Sequence, residues 1–401
     1  MQVALFEPSH RDDLFPFTLT RPVSSLRKGI MTIRASWERI IGEALRINTE
    51  ADMPPTFGAA AASATPSAAA SATPLGAARE PTLFLNAALL PDPAVWQEIA
   101  QLGRGESFFH DNIPLAYYEG DIPQAHFKGE DKVVKKELAT PFRLLRYPWE
   151  LVQWNDHSLR IDFDLLTAGR ISQPIPDGNQ VVNPEAIFLE EGAKVSFSVL
   201  NASTGPIYIG RNAEVMDGCL LRGPIALGEG ATLKMGAKVY GATTLGPYCA
   251  AGGEVKNVIM TGYSNKNHDG YLGDSLIGEW CNLGGGTSCS NVKNNATPVR
   301  VWNPGRGRAE VAGLKAGLFM GDYSRSAIQS AFNTGTVVGV CCSVHGGAVC
   351  SGYVPDFSWG LRGERYDWDK ALRDIDNWKK LKGQRLTPDE IQILRPIFAR
   401  I

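Results

Sequence analysis

Cysteine is sparse and unpatterned: seven residues, an odd number, with no CxxC spacing. That argues against a zinc site or a disulfide framework and leaves the thiols as small, reduced core residues. Cys341 and Cys342 are adjacent and cannot bridge each other without strain. An excess of one charge is also missing, the net being −2 with both signs spread along the chain. No basic stripe is therefore offered to nucleic acid or to an anionic membrane surface. No uncharged apolar run approaches the roughly 20 residues of a membrane span. The opening segment, MQVALFEPSHRDDLFPF, lacks a basic stretch followed by an apolar one and is not expected to act as a secretory signal. The absences together point to a cytoplasmic protein with neither nucleic acid nor membrane as partner. What the chain does have is 401 residues at 44% hydrophobic content, enough for two or three domains with sizeable cores.

Residues 1–165 read as a small α/β domain. A short apolar segment, QVALF, precedes a helical pattern in TIRASWERIIGEALRI, where Ile33, Trp37, Ile40, Ile41 and Leu45 recur at helical spacing. Residues 52–81 are rich in Ala, Ser, Thr and Pro without apolar periodicity and read as a mobile linker or surface insert. PTLFLNAALLP then reads as a buried strand running into a loop, and DPAVWQEIAQL as a helix capped by Asp92. Strand–helix alternation of this kind suggests an α/β layer.

The rhythm changes near residue 187. In sixes from Ile207, the third position holds Ile209, Val215, Leu221, Leu227, Leu233, Val239, Leu245 and Ala251. The first holds Ile207, Ala213, Cys219, Ile225, Ala231, Ala237, Thr243 and Cys249. A hexapeptide period is the mark of a parallel β-helix, three short strands to a triangular coil of 18 residues. Single coils cannot bury their inner face, so stability comes from stacking. We assign this domain to residues 187–354. The rhythm breaks at Asn257 and returns shifted at Ile277 and Leu283, so residues 260–270 read as an insertion between coils. Residues 362–401 read as helices capping the open end, the last opening on the capping box T-P-D-E at Thr387.

The break carries His268, with Lys266, Asp269 and Tyr271 beside it. An imidazole can take a proton from an incoming amine or hydroxyl near neutral pH; the plainer reading is a solvated loop histidine. With 18 residues per coil, Lys238 should lie directly under Lys256, giving two ammonium groups for a phosphate, or else two solvated outer-face lysines. Gly284, Gly285, Gly286 and Thr287 leave backbone N–H groups open to a pantetheine amide or an oxyanion.

EVKN at 254–257 and HDGYLGDSLIGEWCNLGGGT at 268–287 resemble the acetyltransferase domain of the bifunctional GlmU family. FTLTRPVSSLRKGIMTIRASWERI, LRIDFDLLTAGRISQPIPDGNQVVNPEAIFLEEGAKV and MGDYSRSAIQSAFNTGTVVGV extend the likeness to GlmU-related sugar nucleotidyltransferases over nearly the whole chain. The resemblance implies a reduced nucleotidyltransferase-like α/β domain, then a left-handed parallel β-helix, forming a homotrimer with acetyl-CoA or another acyl-CoA bound between subunits. It implies His268 as general base, Lys256 and Tyr271 on the sugar phosphate, and Asn282 and Asn291 on the acceptor. Lys238 falls where the family has a phosphate-binding arginine, Gly285 where it has an alanine near the thioester, and Val292 where it has a tyrosine. In the first domain Arg21 matches the signature arginine and Lys28 stands in for the signature lysine. No glycine precedes Gly29, and LNAALLP carries Ala87 and Ala88 where the family has a metal-binding aspartate.

The expected function is transfer of an acyl group from acyl-CoA to an amino-sugar phosphate or a nucleotide sugar. The alternatives are a sugar-1-phosphate nucleotidyltransferase whose β-helix serves for trimerisation, with magnesium needed only in that case, and a non-catalytic scaffold that binds nucleotide sugars.

Overall fold

The computed structural model describes residues 2–48, 82–118, 134–361 and 363–401. The expected insert at 52–81 lies outside the described residues. The chain forms two compact units: Met1–Arg11, Arg21–Ser25 and Thr32–Leu145 make one, and Asp12–Thr20, Leu26–Met31 and Arg146–Ile401 the other.

The first unit is built on β1 (Gln2–Phe6), α1 (Ile33–Ile41), β2 (Arg46–Asn48), β3 (Thr82–Asn86), α2 (Pro93–Ile99), β4 (Glu106–His110), β5 (Ile113–Tyr118) and β6 (Val134–Lys136). The sheet order is β2-β1-β3-β5-β4-β6. β1 runs parallel to β2 and β3, and β5 is antiparallel to both of its neighbours. Asp92 caps α2, accepting from the Ala94 N–H at 2.9 Å, as expected. The helix expected to reach Leu45 stops earlier. Gly42 takes φ +83°, its N–H bonds the Glu38 carbonyl, and the chain turns into β2.

The second unit opens with α3 (Pro148–Gln153) and α4 (Asn155–Thr167) and continues as a left-handed β-helix with three parallel walls. Wall A includes Ile207–Ile209, Ile225–Leu227 and Thr243–Leu245; wall B includes Glu214–Val215, Thr232–Leu233, Ala250–Ala251, Asn265–Lys266 and Asn282–Leu283; wall C includes Leu220–Arg222 and Lys238–Tyr240. The hexad positions stack as expected: Ile209, Leu227 and Leu245 share one register, and Val215, Leu233 and Ala251 another. All these side chains are fully buried in one continuous core. All seven cysteines are free and buried, and desolvation raises every one of their thiol pKa values above the ordinary value.

Three expectations are corrected. First, residues 260–270 are not an insertion. The strands Glu254–Gly262 and Tyr271–Glu279 each run along wall C and on into wall A, and Met260 and Lys266 occupy inward positions above Leu245 and Ala251. A buried lysine broke the apolar pattern, not the coil. The departure from the coil lies later, where the antiparallel hairpin Val299–Asn303 with Arg308–Gly313 leaves the solenoid. Second, Lys238 does not lie under Lys256. The corner between Ala251 and Glu254 holds only Gly252 and Gly253, so Lys238 pairs with Glu254, and Tyr240 with Lys256. Third, α5 (Trp368–Lys380) and α6 (Pro388–Ala399) do not merely plug an end. They pack along a corner column formed by Trp280, Tyr323, Cys341 and Phe357. The Thr387 capping box is present in both directions.

Candidate functional site

His268 sits at the corner where wall B turns into wall C, between the Gly252–Gly253 corner one coil below and the Gly284–Gly286 corner one coil above. The side chain is exposed and makes no hydrogen bond to any described residue. Its ring lies against Gly285: a Cβ added there would stand 3.6 Å from the imidazole carbons. In the glycine run, the Gly284 N–H donates to Ser326, the Gly286 N–H to Asp269 and the Thr287 N–H to Gly284. The Gly285 N–H has no acceptor among the described residues. The Gly286 N–H is therefore engaged, contrary to expectation, and within the Gly284–Thr287 run Gly285 alone keeps an N–H without an acceptor among the described residues.

The corner is held from inside by Lys266. This residue is 1% exposed and stands in the wall B column between Ala251 and Leu283. Its ammonium donates to the His268 carbonyl at 2.7 Å and to the Gly252 carbonyl at 3.0 Å, tying two successive corners together. Burial pushes its pKa down to about 8. Sequence reading noted Lys266 only as a neighbour of His268, because its inward position is visible only in the register.

Wall C presents two outward columns, since side chains alternate along a strand. One includes Leu220, Lys238, Glu254 and Tyr271; the other includes Arg222, Tyr240, Lys256 and Gly273. Tyr271 leans from the first column over the second. A Cβ on Gly273 would fall 2.2 Å from the Tyr271 hydroxyl, so only glycine leaves room for the ring. That hydroxyl accepts from Asn291 Nδ2 at 3.0 Å, and Asn291 also donates to Asp274 at 2.5 Å. Burial and the neighbouring Asp274 push the Tyr271 phenol up to about 12, so it keeps its proton and remains a donor at neutral pH. Lys256 Nζ lies 5.3 Å from the centre of the Tyr240 ring, a cation–π contact, and the Tyr240 hydroxyl donates to Glu254 at 2.6 Å.

Of the expected residues, the structure thus brings together Lys256, Tyr271 and Asn291 on wall C, with Lys238 exposed in the neighbouring column. His268 and Gly285 meet at the B–C corner. Asn282 projects from wall B between Asn265 and Arg325 and does not join the wall C cluster within one chain. Arg222 and Tyr240 were not anticipated. The short Ala251–Gly252–Gly253–Glu254 corner is the signal that would have placed them beneath Lys256.

The residues expected to bind a nucleotide separate. Arg21 belongs to the first unit and Lys28 to the second. Lys28 is 1% exposed and bonds Asp162 at 2.6 Å. Asp162 also accepts from the N–H groups of Ile30 and Met31, and Asn155 accepts from that of Gly29. Lys28 therefore anchors its own segment on α4 and presents no charge to a phosphate. In the first unit, Ala87 and Ala88 follow β3 and are fully buried. Glu7, just past β1, is engaged with the Val23 N–H and with Arg11. Among the described residues no three His, Cys, Asp or Glu side chains gather as a metal site. This donor set does not fit magnesium, which requires hard oxygen ligands beside the phosphates. No helix among the described residues is long and apolar enough to cross a membrane.

Comparison with known proteins adds partial similarities. A family model described as sugar nucleotidyl transferase matches residues 3–171. The bifunctional protein GlmU of Methanocaldococcus jannaschii is 31% identical over 226 residues, covering 56% of this chain and 48% of the relative. Over those 226 residues the chain is similar to GlmU. A second bifunctional protein GlmU, from Geotalea uraniireducens, is 25% identical over 181 residues, 38% of this chain and 39% of its own. The bifunctional sugar-1-phosphate nucleotidylyltransferase/acetyltransferase of Sulfurisphaera tokodaii is 32% identical over 96 residues, 24% of each chain. The chain thus aligns with about half the length of these relatives or less.

Proposed function

We propose that this protein is an acyl-CoA-dependent transferase acting on an amino-sugar phosphate or a nucleotide sugar, with His268 as general base. The observation that carries the reading is the juxtaposition of an exposed imidazole with the open N–H of Gly285 at one corner. The acceptor amine attacks the thioester carbonyl carbon, and His268 takes the amine proton as the C–N bond forms. The Gly285 N–H donates to the developing oxyanion. The C–S bond then breaks, and the imidazolium returns its proton to the departing thiolate. No enzyme-bound acyl intermediate is required. Lys256 and the Tyr271 hydroxyl hold the acceptor phosphate and so orient the amine. Acetyl-CoA or another acyl-CoA is the donor.

A homotrimer suits this arrangement, because Asn282 on wall B would reach the acceptor only from a neighbouring subunit. The family match over residues 3–171 supports a second reading, sugar-1-phosphate nucleotidyl transfer by the first unit, with the β-helix serving for trimerisation. Against it stands the donor set around Ala87 and Ala88. The test is thiol release from acetyl-CoA with a panel of amino-sugar phosphates and nucleotide amino sugars, run beside pyrophosphate release from nucleoside triphosphates. Acceptor-dependent thiol release is expected. Pyrophosphate release alone would transfer the activity to the first unit. Ligand-induced thermal stabilisation with neither product would leave a binding scaffold.

A further inference from the structure

The second outward column of wall C carries a cation that this reading leaves unused. Arg222, Tyr240 and Lys256 are Cα partners on successive coils. Neighbouring strands stand about 4.8 Å apart, so the backbones of Arg222 and Lys256 lie about 10 Å apart on the same side of the wall. Arg222 is exposed and makes no ion pair with any described residue. It opens on a cleft of about 440 Å³ whose lining includes Gln153, Asp156, Tyr240, Asn257 and Asp274, under the junction of α3 and α4.

The cleft joins the acceptor cluster at two points. Tyr240 lines it and carries Lys256 over its ring. Asp274 lines it and binds Asn291, which also holds the Tyr271 hydroxyl. The two carboxylates of the cleft are already engaged, Asp156 with Arg160 at 2.7 Å and Asp274 with Asn257 and Asn291. Neither pairs with Arg222.

A sugar monophosphate held by Lys256 and Tyr271 would leave Arg222 and the cleft empty. A guanidinium matches two phosphate oxygens at once, and two cations in one row follow two linked phosphates. Among the other lining residues, the Gln153 amide oxygen and the lone pairs that Asp156 keeps beyond its pair with Arg160 can accept from ribose hydroxyls, a use carboxylates commonly serve. We propose that Arg222 forms a second-phosphate subsite, and that the acceptor is an amino sugar linked through a diphosphate to a nucleoside. The inference rests on the acyl-transfer reading for the roles of Lys256 and Tyr271.

Two measurements on the full chain separate it from that reading. The first compares kcat/KM for UDP-glucosamine and dTDP-glucosamine with that for glucosamine 1-phosphate, in the wild type and in Arg222→Gln. The wild type should prefer the diphosphate acceptors, and the substitution should lower that preference tenfold or more. An unchanged preference, or a rise confined to the KM for acyl-CoA, would overturn the subsite; the latter would give the cleft to the donor's own diphosphate. The second is calorimetric titration of UDP and dTDP into both proteins, with thermal melting to verify that the variant folds. Weaker binding by the variant, tenfold or more, supports the subsite even if no acyl transfer is found. Equal binding by both proteins, or none by the wild type, ends it while leaving acyl transfer to be judged on thiol release.

Discussion

Replacing Lys266 by methionine tests whether a charged strut lies inside the solenoid. Methionine is unbranched and apolar and fits a column otherwise made of Ala251 and Leu283. Two effects oppose each other at pH 7. Removing a buried ammonium relieves its desolvation, while the Gly252 and His268 carbonyls lose their donor, at about 1–3 kcal/mol each. Stability at one pH therefore decides nothing, but its slope does. The folded pKa is pushed down to about 8 from 10.5. Below pH 8 both folded and unfolded chains hold the proton. Between the two values the unfolded chain keeps it and the folded chain sheds it, so stability rises with pH across that window. At about 1.4 kcal/mol per pH unit, the rise from pH 8 to pH 10 is about 2–3 kcal/mol. The buried thiols and tyrosines with raised pKa values pull the other way, but they are common to both proteins and cancel in the difference. Urea unfolding of the wild type and of Lys266→Met at pH 7, 8, 9 and 10 measures it. The stability of the wild type minus that of the variant should climb by about 2–3 kcal/mol, nearly all of it above pH 8. A flat difference would refute the buried ammonium and with it the strut that fixes the His268 corner.

Two further substitutions probe the same unit. Gly273→Ala should leave the fold intact, because the clash is with the movable end of Tyr271, yet displace that hydroxyl and raise the acceptor KM severalfold; an unchanged acceptor KM would remove Tyr271 from phosphate binding. Asp162→Asn should destabilise the protein by about 3–5 kcal/mol in chemical denaturation, because it strands the buried Lys28 charge; a loss below about 1 kcal/mol would mean that the pair is not held as described.

Much of the solenoid is readable from the chain alone, because the inward positions of the hexads are aliphatic and the period admits few other folds. The reading fails where a side chain breaks the type expected of its position. Lys266 points inward, so a regular coil looks like an insertion. The two-residue corner at Gly252–Gly253 shifts wall C by two places, which exchanges Lys238 for Tyr240 beneath Lys256 and hides the alignment of Lys256 with Arg222. Spacing along the chain cannot reveal this, because stacking is a property of the turns between strands. The Gly42 stop in α1 is the same lesson on a smaller scale: apolar spacing carried on to Leu45, and one residue at φ +83° ended the helix. At the candidate site, His268 and Gly285 were both identifiable beforehand. That the Gly286 N–H is spent on Asp269, and that Lys28 is spent on Asp162, depends on contacts between residues distant in the chain or on neighbouring coils.

The most direct measurement is acceptor-dependent thiol release from acetyl-CoA by the wild type and by His268→Ala, with acetyl-CoA binding followed in parallel by calorimetry. The account predicts that the variant binds the donor as the wild type does but turns over at least about 100-fold more slowly, the range for loss of a general base. Equal turnover by the two proteins would contradict it.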